Sequence, residues 1–149
     1  MELPQETIRG LVERQIPFVE RSGLKVIELQ RGKVRLTMPL TGNENHIGTM
    51  YAGALFTLAE IPGGALFLTT FDVSRFYPVI KEMSVRFRRP ARTAITVEMG
   101  LSEEDARRIQ QEAEAHGKAD YVLEGELKDA HGEVVALSRG VYQIRVSGT

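Results

Sequence analysis

Between Ile47 and Phe71 the chain carries one charged side chain, Glu60. Around it in sequence lie Met50, Leu55, Phe56, Leu58, Ile61, Leu66, Phe67 and Leu68. A carboxylate in such a stretch is at least partly withdrawn from water, which is costly unless the charge is paired or used. Withdrawal also raises a carboxyl pKa, which suits a base or nucleophile working near neutral pH. Upstream, Asn45 offers an amide donor. Gly48-Thr49-Met50-Tyr51-Ala52-Gly53 then leads into a helix whose first free N–H groups can hold an oxyanion. A carboxylate that drives attack and donors that hold a carbonyl oxygen are the parts acyl transfer needs. The same residues have plainer uses. Glu60 can cap a backbone group freed by Pro62, Asn45 can stabilise a turn, and Tyr51 can be a packed aromatic.

The elements that must position these groups follow from periodicity. Glu2 to Val19 reads as one short amphipathic helix, with Ile8, Leu11, Val12 and Ile16 on a face, ended by Ser22–Gly23. Leu24–Gln30 and Lys33–Pro39 read as a hairpin around Arg31–Gly32. Thr41 to Thr49, with His46, is a loop. The apolar helix spans about Ala52 to Thr70, apolar on all sides like a helix wrapped inside a core, with a kink expected near Leu58–Pro62. Val79–Arg88 reads as a strand with Met83, Val85 and Phe87 on one face. Ala94–Leu101 is the next strand. Ser102-Glu103-Glu104-Asp105 starts a charged helix that stops at Gly117, with Glu103–Arg107 and Glu104–Arg108 pairs expected on its surface. Tyr121–Asp129 and Val134–Val146 close the chain. One apolar helix covered by a curved antiparallel sheet is an α+β layout in one domain, residues 1–149.

Composition narrows the function classes. At 149 residues, 42% hydrophobic and 26% charged, this is an ordinary globular composition. A net charge of −1 gives no general attraction to nucleic acid or anionic membranes. Zero cysteines exclude disulfides, thiolate metal sites and a cysteine nucleophile, and three scattered histidines make no metal site. The first residues carry acids and no signal-like apolar core, so a cytoplasmic location is expected. The apolar stretch is long enough to raise the question of a membrane span. Glu60, Pro62 and Gly63–Gly64 within it argue against one.

The segment from Asn45 to Glu60 resembles the motif of hotdog-fold acyl-CoA thioesterases of the phenylacetate-pathway type. That motif is roughly Asn-x-x-Gly-Thr-x-His-Gly-Gly, six residues, then Asp or Glu. Asn45, Gly48, Thr49, Gly53 and Glu60 fall in register. The strand Met83–Ala91 resembles the family's central strand, and the helix from Ser102 to His116 resembles the insertion of a less characterised branch. The resemblance implies a hotdog fold, with a curved antiparallel sheet around a long central helix. It implies a thioester hydrolase acting on acyl-CoA or acyl-carrier substrates, with coenzyme A as part of the substrate and no other cofactor. Glu60 takes the place of the general base or nucleophile, and Asn45 that of the carbonyl or water ligand. Ala52 stands where a glycine N–H binds the carbonyl. Tyr51 replaces a histidine, and its hydroxyl still donates a hydrogen bond. Gly53 is the second glycine of the motif. Lys81 shares the parity of Met83, Val85 and Phe87, and by that parity points toward the site. Arg86, Arg88, Arg89 and Arg92 are either a solvated face or a seat for coenzyme A phosphates, with Arg88 and Arg89 as the candidate substrate-binding pair.

Geometry adds a demand. Ala52 and Glu60 are eight residues apart on one helix, about 12 Å of rise. Both must lie about 3 Å from one reacting centre. Two antiparallel copies of the helix meet the demand, so a homodimer with shared sites is expected, alone or assembled into a tetramer. Two other functions fit the same fold: an enoyl or hydroxyacyl thioester hydratase-dehydratase, and a thioester-binding dimer module without catalysis.

Overall fold

A computed structural model describes residues 2–148. Helices α1 (Gln5–Arg14) and α2 (Pro17–Ser22) lead into the hairpin β1 (Lys25–Gln30) and β2 (Lys33–Met38). Then follow α3 (Ala52–Thr70), β3 (Phe76–Phe87), β4 (Ile95–Gly100), α4 (Glu103–His116), β5 (Lys118–Lys128) and β6 (Val134–Val146). The N-terminal helix is two helices, not one. Pro17 cannot donate a helical hydrogen bond, and it holds Ile16 extended at φ −97° and ψ 114°.

The strands form one antiparallel sheet in the order β1-β2-β4-β5-β6-β3. α3 packs against all six strands, and Leu36, Met38, Ile95, Leu127 and Ile144 are fully buried in the core. This is the hotdog arrangement. By length and composition α3 could cross a bilayer; here the sheet covers most of it. The helix also runs unbroken through Pro62. One expectation fails in a useful way: α3 is not buried all round. Gly53, Phe56, Glu60, Gly64 and Leu68 recur every three or four residues and form a stripe that the chain leaves partly open.

The two sheet edges differ. On α1, Gln5, Arg9 and Glu13 share one face at spacing four. Gln5 Nε2 donates to the Leu29 carbonyl (2.9 Å) and Arg9 Nη1 to the Val26 carbonyl (2.8 Å). The buried Glu13 Oε2 accepts the Val26 N–H at 2.8 Å. Side chains thus occupy the outer edge of β1 as a neighbouring strand would. Glu13→Ala leaves the Val26 N–H unsatisfied in a buried place, so a loss of about 1–3 kcal/mol is expected. Urea midpoints read it, and Glu13→Gln, which keeps an acceptor, should lose less. The far edge, β3, pairs with β6 on one side and with no described residue on the other.

β3 carries a bulge. Ile80 lies opposite Tyr142 and Glu82 opposite Val141, so Lys81 is the extra residue. α4 starts as its sequence dictates, with Ser102 Oγ accepting the Asp105 N–H at 3.0 Å. Its acids do not make the expected surface ladder. Glu103 instead meets Arg31 at 2.8 Å, and Arg108 meets Asp105 at 2.6 Å.

Candidate active site

The loop before α3 is shaped by two asparagines. Asn45 Oδ1 accepts the N–H groups of Ile47 (3.0 Å) and Thr49 (3.1 Å), and its Nδ2 donates to Thr49 Oγ1 (2.9 Å). The turn-forming reading of Asn45 therefore holds, and one of its two amide hydrogens remains for a ligand. Asn43 does more of the anchoring. Its Nδ2 bridges the carbonyls of Ser22 and Pro39, both at 2.8 Å, and its own carbonyl accepts the Tyr51 N–H at 2.8 Å. These bonds fix the direction in which α3 begins.

That beginning is uncapped. Tyr51 at the N-cap supplies no side-chain hydrogen bond. The N–H groups of Ala54 and Leu55 both reach the Tyr51 carbonyl, at 3.0 and 3.2 Å. The N–H groups of Ala52 and Gly53 have no partner among the described residues, and the helix dipole adds positive potential there. The Tyr51 side chain is 59% exposed, and its ring lies over the Gly53 Cα, where a Cβ would collide with it. Any larger residue at 53 would have to displace that exposed ring.

A cleft of about 350 Å³ opens at this helix end, lined by Asn45, Thr49, Ala52, Leu55, Phe87 and Arg88 among others. The strand-end Arg88 and Arg89 thus line the same cleft as the helix N-terminus. A second hollow, of about 450 Å³, shares Arg88 and Arg89 and adds Arg92 and His131. Arg89 is already engaged by an ion pair with Glu133. Arg88 and Arg92 are exposed, and no ion pair engages them among the described residues.

Glu60 stands two turns further along α3 and does not line that cleft. It is half-buried, and its carboxylate has no hydrogen bond or ion pair among the described residues. It does not cap a group freed by Pro62. Burial pushes its pKa above the ordinary carboxylate value. Ala52 and Glu60 are therefore about 12 Å of rise apart along one unbroken helix.

Lys81 is not part of this arrangement. Its parity with Met83 is broken by the bulge at Lys81 itself. Its ammonium lies on the other face of the sheet, 2.8 Å from Asp120, which also accepts from Gln143 at 2.7 Å. The inward orientation expected for Lys81 is corrected accordingly.

A family model described as a domain of unknown function, DUF4442, matches residues 5–146. The chain belongs to the DUF4442 family. It is similar, at 60% identity over 98% of each chain and a TM-score of 0.94, to a Pseudomonas aeruginosa protein of unknown function described as a probable thioesterase. Two more distant structures show the fold. A protein of unknown function from Chlorobaculum tepidum is 19% identical over 94% of this chain and 93% of its own, with a TM-score of 0.81. A thioesterase from Haemophilus influenzae is 15% identical over 100% and 95%, with a TM-score of 0.75.

In this DUF4442 chain two residues of the site neighbourhood escaped the sequence reading. Asn43 had a weak signal, an asparagine in a Gly- and Asn-rich loop. Tyr142 had none: its hydroxyl donates to the Glu60 carbonyl at 3.0 Å, across 82 residues of chain.

Proposed function

We propose that this protein hydrolyses thioesters of the acyl-CoA type as a cytoplasmic homodimer with two shared sites. One observation carries the reading. An unpaired, half-buried carboxylate and unpaired helix N–H groups lie on one helix, at a separation that only a second copy can close. The open edge of β3 and the uncovered stripe of α3 favour such a pairing, and exposed Phe56, Ile80 and Phe87 supply apolar surface for it. The Ala52 N–H and the free Asn45 amide hydrogen would hold the carbonyl oxygen. Glu60 of the facing subunit would take a proton from a water that attacks the carbonyl carbon, or attack that carbon itself to form an anhydride that water then hydrolyses. Either way the thiolate leaves and takes a proton.

Coenzyme A carries phosphates, and Arg88 with Arg92, which line the hollows beside the helix end without an ion pair among the described residues, are the cations placed to meet them. Phe67 and Phe71 are core residues here, in tilted ring contacts that run to Tyr121, and leave the acyl group to the open surface around Phe56. The testing experiment is a thiol-release screen over acyl-CoAs of varied chain length and aromaticity. Release of free thiol from at least one of them supports the reading. Tight binding without release points to the binding module, and absorbance change on crotonyl-CoA without release points to hydration. A double Arg88→Ala, Arg92→Ala variant should raise KM about tenfold, with kcat kept and the effect fading at high salt.

A further inference from the structure

From the sheet, the Tyr142 side chain on β6 reaches the main chain at Glu60. Its hydroxyl hydrogen is donated to the Glu60 main-chain oxygen at 3.0 Å. The contact falls where α3 is weakest. Pro62 has no N–H, so the turn that contains Glu60 lacks one of its own hydrogen bonds. The ring is seated with little freedom. A Cβ on Gly63 or on Gly140 would strike it, so two glycines, one on α3 and one on β6, make room for it. On its other side it stacks on Tyr121, with centroids 5.7 Å apart and planes 21° apart.

The strand that carries Tyr142 is itself braced. On the opposite face, the buried Gln143 donates to Asp120 at 2.7 Å and accepts from Arg145 at 2.6 Å. Lys81, extruded by the bulge next to the Ile80–Tyr142 pair, holds the same Asp120. The post that holds the Glu60 turn thus stands on a locked strand. Tyr121 gives an internal comparison. It is as buried as Tyr142 and in contact with it, yet its hydroxyl has no hydrogen-bond partner among the described residues.

We infer that Tyr142 is the positioning residue of the site: it ties the proline-weakened turn of α3 to the sheet and so sets where the Glu60 carboxylate points. The inference rests on Glu60 being the base or nucleophile of the proposed reaction. The ionisable group that bears on Glu60 from the packed elements is the Tyr142 phenol, with Tyr121 stacked behind it. Burial pushes both above their ordinary values, so neither changes charge near neutral pH.

Tyr142→Phe keeps the ring and removes one oxygen; Tyr121→Phe is the paired control. Two readouts are taken on the full-length protein. One is kcat and KM for thiol release across pH. The other, which needs no turnover, is the Glu60 carboxyl titration followed by carbon-13 NMR. Tyr142→Phe should lower kcat about tenfold with KM kept, since sub-ångström misplacement of a reacting group is felt at that scale. It should also bring the Glu60 pKa down toward the ordinary value, as a looser turn admits water. Tyr121→Phe should leave both unchanged. A Tyr142→Phe protein with wild-type kcat and wild-type Glu60 titration overturns the inference. Glu60→Gln separates the two ideas. If it keeps full activity, the proposed reaction fails, and the NMR titration alone then decides the role of Tyr142.

Discussion

Glu60→Gln should lower kcat for thioester hydrolysis by about 10²–10⁴-fold, the range lost with a general base. The glutamine fills the same space and keeps a hydrogen-bonding end, but cannot take a proton or attack. The wild-type pH profile should share the same origin. Burial raises the carboxyl pKa, so the working, ionised form is lost as pH falls through that raised value. The acid limb of kcat/KM should therefore lie above the pH where an exposed glutamate titrates, and should vanish in the variant. Stability should move the other way. A carboxyl whose folded pKa is raised binds its proton more tightly folded than unfolded. Stability then declines as pH rises from the unfolded pKa through the folded one. Above that window wild type carries the cost of a charge in a half-buried place. Glu60→Gln should melt higher there, and the two should converge in acid. A variant that is both inactive and less stable at neutral pH would mark Glu60 as a structural group.

Ala52→Pro is the sharper probe of the helix end. It deletes one hydrogen-bond donor and little else. Ala52 is the first helical residue, where proline is well accommodated. Tyr51 before it already has φ −60° and ψ 140°, the conformation a following proline demands. The fold should be unharmed, while kcat should drop about 10²–10³-fold, as when an oxyanion donor is removed. Mixing makes the test stronger. A hybrid of one Glu60→Gln subunit and one Ala52→Pro subunit has one intact and one doubly damaged site if each site spans two chains. Such a hybrid should recover about half the activity of the wild-type dimer. If each site lay within one chain, both sites of the hybrid would be damaged and nothing would return. Tagged co-expression and tandem purification isolate the hybrid for assay.

The parts that local rules govern were legible in the sequence. α3 runs from Ala52 to Thr70 as the apolar run says, because a Gly- and Asn-rich loop precedes it and Asp72 follows. Ser102 caps α4 because a serine followed by acids has little else to do. Glu60 was conspicuous as a lone charge, and the motif placed Asn45 and Ala52 beside one cleft. What was hidden depends on contacts between distant segments. The inward aim given to Lys81 assumed an unbroken two-residue alternation, and one extruded residue reverses it. Arg89 resembles its neighbours until Glu133, on another loop, is seen to occupy it. The open stripe on α3 was invisible because Phe56 and Gly64 are as apolar as the residues the sheet does cover. Only the wrapping of the sheet distinguishes them.

The unequal edges of the sheet have a consequence for growth. Hydrogen bonding between strand edges has no built-in stopping rule; a sheet with two free margins can recruit copy after copy into a fibre. Among the described residues, β3 is left as a margin without a partner strand, and Gln5, Arg9 and Glu13 plug the other edge. Two such molecules joined margin to margin expose only plugged ends, so strand-by-strand addition terminates at the pair. In the proposed dimer, a short polar row on the first helix would thereby act as a chain terminator.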